Sequence, residues 1–182
     1  MPSLRSGLTV RQNDRRSAMV AAGIEIVAAR GPAASVRDIA KAVGVPTSLV
    51  HYYFDSKENL LREIYGSAAK ILSQVDLEVS PGAAIHTASS ALADQLVEHH
   101  GRHLSPWRTY IGLTLWAIRS EVDLGQREAI LERHEPVTRA MEAVVLRAAE
   151  GELTDMMARV ILAHADGRSL RQDVFDRWDT PR

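Results

Sequence analysis

The chain has 182 residues, 46% of them apolar and 25% charged, with a net charge of −1; that is core enough for one large domain or a small domain fused to a medium one. It has no cysteine, which excludes disulfides, thiol nucleophiles and Cys-based metal centres. No apolar run approaches the roughly 18 residues of a membrane span, and the polar, Arg-rich start has no apolar signal stretch, so a cytoplasmic protein without membrane partners is expected.

The charge is unevenly placed. Residues 1–66 carry nine Lys/Arg against six acids, while residues 67–182 carry thirteen against seventeen. An early excess of cations followed by an excess of acids suggests that the first part meets a polyanion and the remainder does not.

Taken in chain order, residues 1–14 read as a flexible arm, and Arg5, Arg11, Arg15 and Arg16 offer cations to solvent or to a minor groove. Met19, Val20, Gly23, Ile26 and Val27 recur at helical spacing, predicting a helix from Arg16 to Arg30 that Gly31-Pro32 stops. Ser35-Val-Arg-Asp38 is a capping-box pattern. The short helix it opens turns Val36, Ile39, Ala40 and Val43 inward and ends at Gly44. Pro46 suits the first turn of the next helix, where a missing N–H costs nothing. That helix directs Leu49, Val50, Tyr53 and Phe54 to the core. Asp55-Ser-Lys-Glu58 starts a fourth helix, expected to run from Lys57 to Val79 before Ser80-Pro81-Gly82.

Beyond it, helices are expected from Ala83 to about His103, from Ser105-Pro106 through Ile118, from Leu124 to Glu150, and from Leu153 to Trp178, with Gly167 as a weak point in the last. Strand alternation and hairpin turns are nearly absent. The architecture is all-α.

Function is carried by the segment Ser35–Phe54. Two helices this short do not persist alone in water, so they must brace one another in a helix-turn-helix, the second projecting its polar face. That face holds Thr47, Ser48, His51 and Tyr52, all able to hydrogen-bond. Short polar groups near a helix N-terminus allow deep entry into a major groove, with longer ones reaching flanking phosphates.

The run from Arg16 to Leu61 resembles the DNA-binding domain of TetR-family repressors. The likeness rests on Arg16, on Gly31, on Ser35-Val-Arg-Asp-Ile-Ala40, on Ala42-Val-Gly-Val45, and on His51-Tyr-Tyr-Phe-Asp-Ser-Lys-Glu58 with Leu60, about a quarter of the chain. It implies a DNA-binding domain over 15–62 and a helical ligand-sensing and dimerisation domain over 63–182. It also implies that Ser35 and Arg37 approach DNA from the bracing helix, that Thr47 and Ser48 face base edges, and that His51, Tyr52 and Lys57 bind phosphate. Two positions depart from the family's pattern: His51 stands where Tyr is more usual, and Pro46 where a capping Ser is. With Arg37 the one guanidinium near the groove, a single copy has few contacts. A homodimer on a pseudo-palindromic duplex operator, responding to a small-molecule effector, is therefore expected.

For the effector, Trp107, Tyr110, Leu113, Trp116 and Met141 can line an apolar cavity or simply pack a core. For the dimer, Met157, Val160, Ile161, His164, Leu170 and Val174 form a stripe near the C-terminus. His99, His100 and His103 suggest a different reading, a metal-sensing regulator or metal-dependent enzyme with His86 or Glu98 as further ligands, but no HExxH motif accompanies them and one helical turn offers too few ligands. No Gly-rich phosphate loop, GxSxG or paired-carboxylate pattern appears, so neither an enzyme nor a cofactor is expected.

Overall fold

The computed structural model describes residues 4–119, 130, 138–139, 141–149 and 155–178. Among these there are helices and no strands: α1 (Leu4–Arg30), a 3₁₀ turn (Gly31–Ala33), α2 (Val36–Val43), α3 (Thr47–Phe54), α4 (Lys57–Ser73), α5 (Ile85–Arg102), α6 (Leu104–Arg119), α7 (141–148) and α8 (Asp155–Trp178). Two compact units result, one of Met1–Ala69 with Ser105–Glu135, the other of Lys70–Leu104 with Pro136–Arg182.

In the first unit, the apolar stripe of α1 supplies Met19, Val20, Ile24 and Val27 to a core completed by Ile39, Val50, Phe54, Leu61 and Ile64. Gly23 of α1 lies against Ile64 of α4. A Cβ there would lie 2.7 Å from Ile64 Cγ1, so only a residue without a side chain fits. Helix α6 joins the same core through Trp107, Thr109, Tyr110 and Leu113. Thr109 Oγ1 donates to the Ile24 carbonyl at 2.8 Å, and the Tyr65 and Thr114 hydroxyls share a hydrogen bond at 3.1 Å. Each buried hydroxyl thus has a partner, as burial requires.

The second unit is built on α5 packed against α8. Leu92, Ala93 and Leu96 of α5 are buried, as are Ala158, Ile161, Leu162 and Ala165 of α8.

Several expected boundaries move. Helix α1 begins at Leu4, so the arm expected over 1–14 is helical from that residue, there being no proline between Pro2 and Pro32 to stop it. Pro46 is the N-cap of α3 rather than its first helical residue (φ −63°, ψ 144°). Helix α4 ends at Ser73, not Val79. The stretch beyond it is held open by Gln95, whose amide accepts from Glu78 N at 2.9 Å and donates to Glu78 O at 2.8 Å; a side chain remote in sequence takes over the backbone bonds another helical turn would have made. Gly167 does not interrupt α8. Of the helix expected over Leu124–Glu150, only 130, 138–139 and 141–149 lie among the described residues, and all but the turn at 149 are helical.

Candidate nucleic-acid interface

The turn between α2 and α3 is set by local chemistry. Ser35 caps α2: its Oγ accepts from Asp38 N at 3.1 Å while Asp38 Oδ2 accepts from Ser35 N at 3.0 Å, the reciprocal pair read from the sequence. Asp38 Oδ2 also accepts from the Ser35 hydroxyl at 2.7 Å, and Asp38 Oδ1 pairs with Arg30 Nη1 at 2.8 Å. The Ser35 hydroxyl, then its backbone N–H, then the Arg30 charge hold the Asp38 carboxyl below the usual carboxylate range. Gly44 closes α2 at φ 72°, ψ 34°, a left-handed cap that suits glycine.

Helix α3 is eight residues long and two-faced. Val50 and Phe54 are buried and Leu49 and Tyr53 half-buried. On the other side Ser48 and His51 are exposed, Thr47 is half-buried, and Tyr52 is 70% exposed. Tyr52 is steadied edge-on against Tyr53, ring centroids 5.5 Å apart. A phenol held that far into solvent is unusual for core packing and apt for an external acceptor. The helix then stops sharply: Asp55 takes φ 59°, the one positive φ outside glycine among the described residues, and Ser56 Oγ accepts from Asn59 N at 3.1 Å to start α4.

The seven residues expected to meet DNA are not equally free. Arg37, Ser48, His51 and Tyr52 are exposed and Thr47 partly so. Ser35 is occupied by its cap. Lys57 is half-buried, donating from Nζ to the Pro32 carbonyl at 3.3 Å, so a phosphate would have to take that donor over. Arg16 is engaged within the unit. Its guanidinium pairs with Glu63, with Nε 3.0 Å from Oε2, and its carbon lies 5.2 Å from the centre of the Phe54 ring. The hydrogen bonds it donates to Glu63 raise its pKa against a smaller effect of burial. Sequence reasoning missed Glu63 and Arg30, whose partners lie far along the chain or across a helix break.

Of the residues considered for an effector, Trp107 and Leu113 are fully buried, Tyr110 nearly so, and Trp116 half-buried, all on α6 in the first unit; Met141 is buried in the second unit. Tyr65, which the sequence did not mark, stacks on Tyr110 with centroids 5.3 Å apart. Of the C-terminal stripe, Val160, His164 and Leu170 are exposed, Met157 is half-buried and Ile161 is buried within its own chain; the Val174 side chain lies outside the described residues. The stripe also missed Met156, which is 75% exposed. The histidines separate likewise. His99 and His100 are buried and His103 is half-buried, whereas His86 and Glu98 are exposed. Among the described residues no three potential metal ligands converge, and no helix is long and apolar enough to cross a membrane.

Comparison with known proteins adds three findings. Residues 19–64 match the family described as bacterial regulatory proteins, tetR family. No curated protein matches the chain. Among solved structures, the multidrug binding protein EbrR complexed with imidazole is 24% identical, with a TM-score of 0.61 over 92% of this chain and 82% of that one. A transcriptional regulator from Rhodococcus sp. RHA1 is 21% identical, with a TM-score of 0.62 over 86% and 82%. A TetR family transcription regulator from Marinobacter aquaeolei VT8 is 19% identical, with a TM-score of 0.50 over 87% and 97%. At these identities the structures speak for the shared fold.

Proposed function

We propose, from the premise that this chain carries the DNA-binding domain and the fold of TetR-family transcriptional regulators, that it is a ligand-responsive repressor acting as a homodimer on a pseudo-palindromic operator. Residues 15–62 would form the DNA-binding domain and 63–182 the sensing and dimerising one. The observation that carries the reading is the division of α3: Ser48, His51 and Tyr52 stand in solvent on the far side of a helix anchored by Val50 and Phe54. Thr47 and Ser48, at the start of that helix, would meet base edges with Arg37. Tyr52, His51 and Lys57 would fix the register on phosphates. Ser35 would contribute through its cap.

Few base contacts per copy make two copies necessary for useful affinity, with recognition helices spaced one helical turn of DNA, about 34 Å, or a multiple of it. The face of α8 suits the second copy. Met156, Val160, Ala163, Gly167 and Leu170 follow one another at spacings of four and three, and all five are exposed. That spacing is the seam of helix pairs. Ile161, buried in its own chain, has no part in it.

The similar EbrR is a multidrug binding protein, in keeping with an apolar small molecule as effector here. Helix α6 is the natural relay, because Thr109 ties it to α1 and Thr114 to Tyr65 of α4 within the first compact unit. An effector that prefers one position of α6 would bias the recognition helices, and only such a preference can do so. Selection of bound sequences from random duplexes tests the proposal: recovery of an inverted repeat is expected, and recovery of no sequence, or of binding indifferent to salt, would refute it.

A further inference from the structure

His99 and His100 are adjacent on α5, and helical geometry sends adjacent side chains in different directions. Both are nonetheless buried, each against a different neighbour. His100 is 1% exposed and faces α8, where its Nδ1 shares a hydrogen bond with Ser169 Oγ at 3.0 Å and lies 4.0 Å from Asp166 Oδ1. His99 lies against the backbone carbonyls of Ile71 and Leu72 in the last turn of α4, and its Nε2 is sealed from solvent without a hydrogen-bond partner. Two imidazoles therefore sit at two of the contacts α5 makes in the second unit, one with α8 and one with the end of α4.

Burial first, and cationic neighbours next, disfavour a proton on His99, and at His100 burial outweighs the nearby Asp166. At the C-cap of α5, His103 lies tilted against His99 with ring centroids 4.6 Å apart, and Arg102 adds a further positive charge. On α8, Asp166 is the acid nearest His100, while Asp173, one turn beyond Ser169, is also buried. Arg168 of α8 is neutralised by Asp94 of α5. Desolvation, and next the neighbouring His99, lowers His100 to about 4; desolvation, then His103, lowers His99 as well. In the packed state both rings are neutral at neutral pH, and loosening of α5 gives them back their ordinary affinity for protons.

We propose that the His99–His100 pair is an acid-sensitive latch, whose proton uptake below neutral pH releases α5 from α8 and from the end of α4 and thereby dissolves the dimer and its hold on DNA. The step from latch to dimer rests on the reading of α8 given above. The inner face of α8 carries Ser169 and Ala165, and its outer face carries the exposed seam of Val160 and Gly167. A helix that loses its inner support cannot keep its outer face in register.

The test compares the wild-type chain with His100→Asn, in which the amide stands in for Nδ1 toward Ser169 and does not titrate. Sedimentation, urea unfolding and binding to the selected duplex are followed from pH 7.5 to 5.0. The wild type should lose urea resistance and dimer across that range, with at least a tenfold loss of duplex affinity, and His100→Asn should lose distinctly less of all three, His99 alone remaining to titrate. Parallel profiles for the two proteins overturn the latch. A wild type that binds no duplex, or is monomeric at every pH, refutes the corresponding part of the functional reading instead, and the latch is then judged on urea unfolding alone. If His100→Asn does not fold, the histidine ring signals of the wild type decide by NMR: His100 must stay neutral until the unit opens, and free titration between pH 6 and 7 in the folded chain overturns the proposal.

Discussion

Arg16, Ser35 and Gly23 show how much of the DNA-binding unit depends on single groups outside its contact surface. Ser35→Ala removes the cap acceptor of α2 and the hydroxyl that donates to the Asp38 carboxyl, while the backbone N–H donor stays; a loss of about 1 kcal/mol in urea unfolding is expected. Arg16→Ala removes an ion pair and a cation over the Phe54 ring. The pair is partly in solvent, so about 1 kcal/mol or less should be lost, with little change in the salt dependence of DNA binding because its guanidinium is engaged with Glu63. Gly23→Ala forces a methyl into Ile64 and should cost about 1–3 kcal/mol. By contrast, Tyr52→Ala and Lys57→Ala should weaken binding to all duplexes alike, the Lys57 change also flattening the salt slope by about one per copy. Thr47→Ala and Arg37→Ala should relax preference at particular base pairs. Equal effects from both sets, measured by anisotropy on matched and mismatched duplexes, would contradict the division of roles.

Among the elements, α5 and α8 give the clearest dependence on conditions. His100 is depressed in the folded chain to about 4, against about 6.5 in an unfolded one. The unfolded chain therefore binds the extra proton between these values. The stabilisation from burying the neutral ring is complete above about pH 6.5, falls as pH drops toward 4, and levels below it. The full difference is about 3 kcal/mol, of which about 2 kcal/mol falls between pH 7 and pH 5, large enough to read from unfolding midpoints at those two values. Helix α6 makes a second case. Thr109→Val keeps the shape but leaves the Ile24 carbonyl without this donor, and should loosen the hold of α6 on α1 more than it lowers overall stability.

For the whole molecule, the prediction concerns assembly. If α8 is the seam, Val160→Glu with Met156→Glu places four carboxylates in a two-fold interface and should yield monomers by sedimentation. Operator affinity should then fall at least a hundredfold while the DNA-binding unit stays folded. A double variant that remains dimeric would move the interface elsewhere.

The helix-turn-helix was legible from residues alone because its signals are local: the Ser35–Asp38 box, the Gly44 stop, and a polar face on α3 opposite Val50 and Phe54 all lie within twenty residues. Its family pattern was legible for the same reason, since a recognition surface built on one short helix leaves its whole spacing in sequence. What depended on distant partners was decided only by the tertiary structure. Gln95 takes up the backbone of Glu78 beyond α4 from seventeen residues away, Glu63 claims Arg16 from forty-seven, and Ser169 meets His100 from sixty-nine. Burial, too, is set by the sum of neighbours rather than by periodicity. Two adjacent histidines that read as part of a metal-like cluster therefore became, once α5 had α8 on one side and the end of α4 on another, part of a core.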